Sequence, residues 1–269
     1  MSDAMMDPPP ALRVKGLTFR RGRDILKGVD WTVGRGQHWA LLGPNGCGKT
    51  TLINLVTGYD AATSGEIQLG AAVFGRTDWR EVRKRVGLVT NTLTTYLQSD
   101  EPVIDAVVSG REAKLNLVGE RNLEWQREAA ELLEQVGCGY LREALWGPLS
   151  QGEKQKVLIC RALMAQFDVL ILDEPCAGLD PVARERFLQW LQALMEQAEA
   201  PALVLVTHHV EEILPCIGQV LMLKDGRTLR EGDKADVLKS AILSELYGAE
   251  VELEYDAQGR YRLRLVEVA

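Results

Sequence analysis

Apolar and polar positions alternate through LRVKGLTFRR (12–21) and again through DILKGVDWTVGRG (24–36), with a short glycine-containing turn between them. That pattern predicts two antiparallel strands of a small sheet. HWALLG (38–43) is an apolar run of the length a buried strand needs. In GKTTLINLVTG (48–58) the period changes: Leu52, Leu55 and Val56 share one helical face, and Gly58 stands where a glycine closes a helix. GEIQLG and AAVFG (65–75) predict a further hairpin, and VGLVT (86–90) another buried strand.

From about Asn91 to Leu149 strand signals are few. VIDAVVSG and LEWQREAAELLEQVG (123–137) carry helical periodicity, so this stretch reads as a helical insertion. Strands and helices then alternate: GEKQKVLICRALMAQ (152–166) helical, DVLILDEP (168–175) a buried strand, RERFLQWLQALMEQA (184–198) helical, ALVLVTHH (202–209) a strand. The expected fold class is α/β, a mostly parallel sheet with helices on both faces, an antiparallel β subdomain and an α-helical insertion subdomain. The tail VELEYDAQGRYRLRLVEV (251–268) alternates around an Ala-Gln-Gly turn, as an appended β-hairpin would. The expected organisation is a disordered lead-in over 1–11, a main domain over 12–245 with its helical subdomain near 91–150, and a hairpin extension over 246–269.

Composition narrows the function. A net charge of −7 over 269 residues gives no global basic field for nucleic acid. The five cysteines are scattered and form no CxxC pair, which reads as free thiols in a reducing compartment. No apolar run approaches the roughly 18 residues that span a bilayer. The first ten residues, MSDAMMDPPP, lack the apolar stretch of a signal peptide. The chain is therefore expected in the cytoplasm, with any membrane role mediated by a partner.

The chemistry is concentrated in LLGPNGCGKTTL (41–52). Gly43-x-x-x-x-Gly48-Lys49-Thr50 is a phosphate-binding loop, set between a strand and a helix. Glycines at 43, 46 and 48 permit unusual dihedrals and close backbone approach. The N–H groups from Gly43 through Pro44, Asn45, Gly46, Cys47 and Gly48 to Thr51 can then turn toward phosphate oxygens, Pro44 alone lacking one. The positive end of the helix dipole assists. Lys49 can reach the β- and γ-phosphates, and the Thr50 hydroxyl can ligate Mg²⁺. A second metal-binding carboxylate is expected at a strand end, and VLILDEP supplies Asp173, followed by Glu174 to orient or deprotonate the attacking water.

With these residues the sequence resembles the ABC-type ATPases, P-loop NTPases that power transporters, over roughly residues 12–245. LSQGEKQKVLICRAL (149–163) is similar to the family's signature, usually LSGGQ: Ser150 and Gly152 match, Gln151 and Glu153 depart. AGLD (177–180) resembles the D-loop, with Asp180 in its acidic position, and VTHHVEEI (206–213) the switch segment, with His208 as the matching histidine. The family's usual glutamine after the VGLVT strand is Asn91 here, one methylene shorter. In the slot that often stacks on adenine stands Arg20, beside Phe19. EPVIDAVVSGR (101–111) is similar to what metal, siderophore and molybdate importer ATPases carry there, and WTVGRGQHWALLGPNG is similar to the molybdate-related branch.

What the resemblance implies is an ATP- and Mg²⁺-dependent ATPase working as a dimer, with itself or with a paralogous ATPase subunit. ATP would sit between the glycine loop of one subunit and Ser150 and Gly152 of the other, with His208 on the γ-phosphate. Asn91 would take part in holding the metal or the attacking water. The partners implied are integral membrane transporter subunits, whose helix would dock near Asn91–Val108, and no nucleic acid. The chain would be peripheral on the inner face of the membrane. The alternative is a soluble ABC ATPase acting as a ribosome, repair or assembly factor.

Overall fold

The computed structural model describes residues 8–90, 96–114, 122–165, 167–256 and 259–266. The alternating segments at the start form β1 (Leu12–Arg21) and β2 (Arg23–Val33), which turn at Gly22 with φ 72° and pair antiparallel. β3 (His38–Leu42) then enters the centre of the molecule and delivers the chain into α1 (Lys49–Val56). β4 (Ser64–Leu69) and β5 (Ala72–Val73) return to the first sheet, in the order β2-β1-β4-β5. α2 (Trp79–Arg83), capped by the Asp78 side chain, leads to β6 (Val86–Val89).

Between β6 and the next strand the described residues are helical or irregular. α3 (Val103–Val108), α4 (Leu123–Gln135) and α5 (Gln151–Leu163) pack on one another. Asn122 caps α4 by accepting from Glu124 N and Trp125 N, which leaves Ala129 and Leu133 on the buried face. Then follow β7 (Val169–Asp173), α6 (Pro181–Met195), β8 (Ala202–Thr207), β9 (Gln219–Lys224), β10 (Arg227–Asp233), α7 (Lys234–Val237) and α8 (Ser240–Tyr247). β11 (Val251–Tyr255) and β12 (Tyr261–Leu265) form a separate two-stranded sheet.

The main sheet runs β10-β9-β3-β8-β7-β6, parallel from β9 to β6 and closed on one edge by antiparallel β10. Its five parallel strands are apolar on both faces because both faces are covered. Ala40, Leu42, Leu170, Leu172, Leu203 and Leu205 join a core with α3, α5 and α6. The intervening Leu41, Ile171 and Val204 join a second core with α1 and the antiparallel sheet. Each such fully buried Leu, Ile or Val contributes about 1.5–3 kcal/mol relative to exposure. Among the described residues no helix is long and apolar enough to cross a membrane.

Several boundaries differ from the sequence reading for local reasons. The helix expected over 184–198 starts three residues earlier, because Asp180 accepts from Val182 N and Ala183 N and Pro181 presets the first turn. The strand expected over 202–209 ends at Thr207, so both histidines leave the ladder. The strand expected over 168–175 stops at Asp173, since Glu174 takes φ 51°. The lead-in over residues 1–7, Asn91 and the first two residues of the Ala-Gln-Gly turn lie outside the described residues.

Candidate active site

Strands β3 and β7 flank β8 in the main sheet, and the loop after β3 shares one cavity with the residues at the end of β7. Gly43 begins that loop: a Cβ there would overlap the Leu223 carbonyl and the Cys47 thiol. Gly46 has φ 77°, and Gly48, at φ 110°, caps α1 with no side-chain hydrogen bond. The first N–H groups of α1 are thus left without a capping side chain, and the positive end of the helix faces a cavity of about 350 Å³. Asn45, Gly46, Gly48, Lys49, Thr50 and Thr51 line it from the loop side, Thr90, Asp173 and Glu174 from the strand ends.

Lys49 is 5% exposed. Its ammonium donates to Gly43 O at 2.7 Å and Pro44 O at 3.2 Å. Glu174 Oε1 stands 3.9 Å from it. Asp173, also 5% exposed, keeps Oδ1 buried with no hydrogen-bond partner among the described residues. Burial pushes its carboxyl up to about 6, against the opposing hydrogen bond from Thr50; the charge of Glu174 adds to the rise. A hydroxyl and an under-satisfied carboxylate side by side form a hard-oxygen donor set, which suits Mg²⁺.

Glu174 carries the left-handed dihedral of the site, φ 51° in a residue with a side chain. Such a conformation costs on the order of 1–3 kcal/mol and persists only where the surroundings impose it. Its N–H donates to Val206 O at 2.9 Å, which turns the carboxylate toward His208. His208 Nδ1 lies 3.1 Å from Glu174 Oε1. With Nδ1–H donating there, Nε2 of a neutral ring is an acceptor. Donation from His208 to a phosphate therefore requires a second proton on the ring or release of Glu174.

Sequence reasoning had no signal for what holds His208. Thr207 Oγ1 donates to Glu212 Oε2 at 2.6 Å and accepts from His209 N at 3.0 Å, locking the turn that follows. The hydroxyl of Tyr247, on α8, donates to His208 O at 2.9 Å.

Ser150, Gly152 and Asp180 form a second cluster and do not line this cavity. Ser150 caps α5 in a closed box: its Oγ donates to Glu153 Oε2 at 2.7 Å, and its N–H donates there at 2.8 Å. Gly152 faces the loop before α6, where a Cβ would meet Leu179 Cδ2 at 3.4 Å. Asp180 caps α6 with its carboxylate, and the N–H groups of Ala183 and Val182 hold that carboxyl below the usual range. Arg20 is paired with Asp24 at 2.6 Å and is absent from the cavity wall, which instead includes Arg23 and Ile25. Phe19 is buried in the core. All five cysteines are free; Cys47 packs inside the loop, and burial raises its thiol.

The sequence pattern of the family described as ABC transporter matches residues 26–177. The uncharacterized ABC transporter ATP-binding protein YlmA of Bacillus subtilis is 38% identical over 87% of this chain and 89% of its own length. Among solved structures, an inward-facing putative metal-chelate type ABC transporter superposes with TM-score 0.73 at 22% identity, covering 96% of this chain and 98% of that one. The dimeric post-hydrolysis state of the ATP-binding cassette MJ0796, bound to ADP and Pi, superposes with TM-score 0.72 at 24% identity over 82% of this chain and 98% of that one.

Proposed function

The chain belongs to the ABC transporter family of ATP-binding proteins, and on that footing we propose how its residues divide the work of the ATPase subunit of a transporter. It binds and hydrolyses ATP. The triphosphate occupies the cavity above α1, its oxygens taking N–H groups of the glycine loop and of the first turn of α1, which has no side-chain cap. Lys49 exchanges the carbonyls of Gly43 and Pro44 for β- and γ-phosphate oxygens, a trade of neutral acceptors for charged ones.

Thr50 and Asp173 would hold Mg²⁺, joined in the sequence reading by Asn91; the ion neutralises phosphate charge when bound. The Glu174 carboxylate accepts a proton from the attacking water. His208 contacts the γ-phosphate side and keeps Glu174 aimed. The single observation that carries this reading is the imposed left-handed turn at Glu174. It puts one carboxylate within 3.9 Å of the phosphate-loop lysine and 3.1 Å of the histidine after β8.

Two subunits close head to tail, Ser150 and Gly152 of one facing the γ-phosphate held by the other, with Asp180 at the seam. The MJ0796 cassette is described as dimeric, which supports assembly of two subunits. Membrane-spanning subunits form the second partner, which keeps the chain peripheral on the cytoplasmic face. The five cysteines are free, and among the described residues no helix is long and apolar enough to cross a membrane. YlmA is named as a transporter component, and nothing in that comparison favours the soluble-factor alternative.

Glu174→Gln tests the reading. The variant keeps the side-chain volume and loses the base, so turnover should fall by about 10²–10⁴-fold while ATP stays bound. Size-exclusion chromatography with ATP and Mg²⁺ should then show a dimer. A variant that binds ATP and elutes only as monomer overturns the sandwich.

A further inference from the structure

The C-terminal hairpin has no place in the chemistry above and extends neither of the two larger sheets. Its contacts are nonetheless concentrated on the two segments that flank the hydrolytic residues. The Arg260 guanidinium donates to Glu185 Oε1 at 3.1 Å and Oε2 at 3.4 Å, on the helix that Asp180 begins. The same guanidinium donates to the Glu211 carbonyl at 3.0 Å, and Leu263 N donates to Glu211 Oε1 at 3.1 Å, in the turn just after His208 and His209. The hairpin is also fastened to α8: Val251 N donates to Ser244 Oγ and Leu253 N to Ser240 Oγ, each at 3.0 Å. From α8 the Tyr247 hydroxyl reaches back to the carbonyl of His208 itself.

We propose that this hairpin and α8 form a positioning clamp for hydrolysis, in which Arg260 and Tyr247 hold the His208 backbone against Glu174. The proposal rests on the reading that His208 serves the reaction. The physical argument is that His208 leaves the sheet at Thr207, so β8 no longer fixes its dihedrals. Its position is set by the turn 210–212 and by its own carbonyl, and the hairpin or α8 bonds both. Positional errors of about 1 Å at a reacting centre can cost on the order of 100-fold in rate. A hairpin that only covered apolar surface needs no bidentate guanidinium and no hydroxyl aimed at one chosen carbonyl. Leu253, Tyr261 and Leu263 already pack on the core.

The test is steady-state ATPase kinetics of the full chain with His208→Ala, Arg260→Ala, Arg260→Lys and Tyr247→Phe, plus the double variant of His208→Ala with Arg260→Ala. Melting and ATP binding are measured beside them. Arg260→Ala and Tyr247→Phe should each lower kcat by about fivefold to tenfold with KM unchanged, a fraction of the loss a full misplacement gives. Arg260→Lys, which keeps the charge but not the fork, should lie between Arg260→Ala and wild type. In the His208→Ala background Arg260→Ala should add nothing, because both act through one element. The clamp is overturned if kcat stays within twofold while only melting changes, or if the Arg260 effect persists in full without His208. If His208→Ala itself leaves kcat intact, the reading of His208 fails first and takes the clamp with it. Tyr247→Phe, which keeps the ring packing, keeps the test open should Arg260→Ala fold poorly.

Discussion

Two helices of this protein begin where a phosphate is expected, and they begin in opposite states. α1 starts at Gly48, left-handed and without any side-chain cap, and its lysine donates to two loop carbonyls. α5 starts at Ser150 inside a complete capping box, with Tyr140 donating to the other Glu153 oxygen at 3.0 Å. Both ends carry the same dipole. One has no side-chain cap on its first N–H groups, whereas in the other Glu153 N–H donates to the Ser150 hydroxyl and Ser150 N–H to the Glu153 carboxylate. An open helix end is preorganised for an anion and has only to exchange water for phosphate. A closed one must give up a hydrogen bond first, which suits a contact made only when two subunits meet.

The largest test of this contrast is Lys49→Ala. At the open end the ammonium is the charged donor, and it already sits in the cavity wall. Its loss removes charged hydrogen bonds worth about 1.5–3 kcal/mol each, so ATP affinity should drop by 100-fold or more. Isothermal titration with ATP–Mg²⁺ reads this directly. Binding weakened less than tenfold would mean that the open N–H groups alone hold the nucleotide.

Asp173→Asn is next. The carboxyl of Asp173 is raised from 3.8 to about 6 mainly by burial. A raised acid binds its proton more tightly folded than unfolded, so it weakens the fold as pH rises. The cost sets in above the unfolded value near 3.8, grows toward 6 and is present in full above that. Two units correspond to about 3 kcal/mol as an order of magnitude. In the metal-free, nucleotide-free protein, Asp173→Asn should therefore raise the melting temperature at pH 7.5 and make little difference near pH 4. It should also abolish ATP turnover. Equal melting of the two proteins at pH 7.5 would mean that the orphaned oxygen is better solvated than its burial implies.

The open end was legible in the sequence and the closed one only half so. Gly43, Gly48, Lys49 and Thr50 lie within eight residues, and the close packing at Gly43 and the left-handed backbone at Gly48 both favour glycine, so spacing carries the meaning. Asp173 and Glu174 were legible because a five-residue apolar strand ends on them. Ser150 was found through a resemblance, but the departure Glu153 was passed over, although Ser-x-x-Glu is itself a capping pattern. The adenine slot at Arg20 rested on the resemblance alone, and in the fold Arg20 pairs with Asp24 while Arg23 and Ile25 reach the cavity. Tyr247 and Arg260 lie 39 and 49 residues from the groups they bond, His208 and Glu211. No periodicity reports a contact at that range; only the folded chain does.

The smallest effect is expected at the closed end. The bonds from Ser150 hold the Glu153 carboxyl below its usual range, so it stays charged at neutral pH. It therefore claims the Ser150 hydroxyl proton and places a negative charge where a partner's triphosphate would arrive. Glu153→Gln keeps an acceptor oxygen and removes the charge. The helix should lose about 0.3–1 kcal/mol of dipole and capping stabilisation, a small drop in melting temperature. At the same time Ser150 is freer to donate to phosphate. In the Glu174→Gln background the ATP concentration that half-dimerises the protein should fall by about twofold to threefold, equivalent to under 1 kcal/mol. Analytical ultracentrifugation over an ATP series resolves a shift of that size. A lower melting temperature with an unchanged dimerisation curve would make Glu153 a helix cap and nothing more. The two helix starts would then differ in stability alone and not in the order in which they meet the nucleotide.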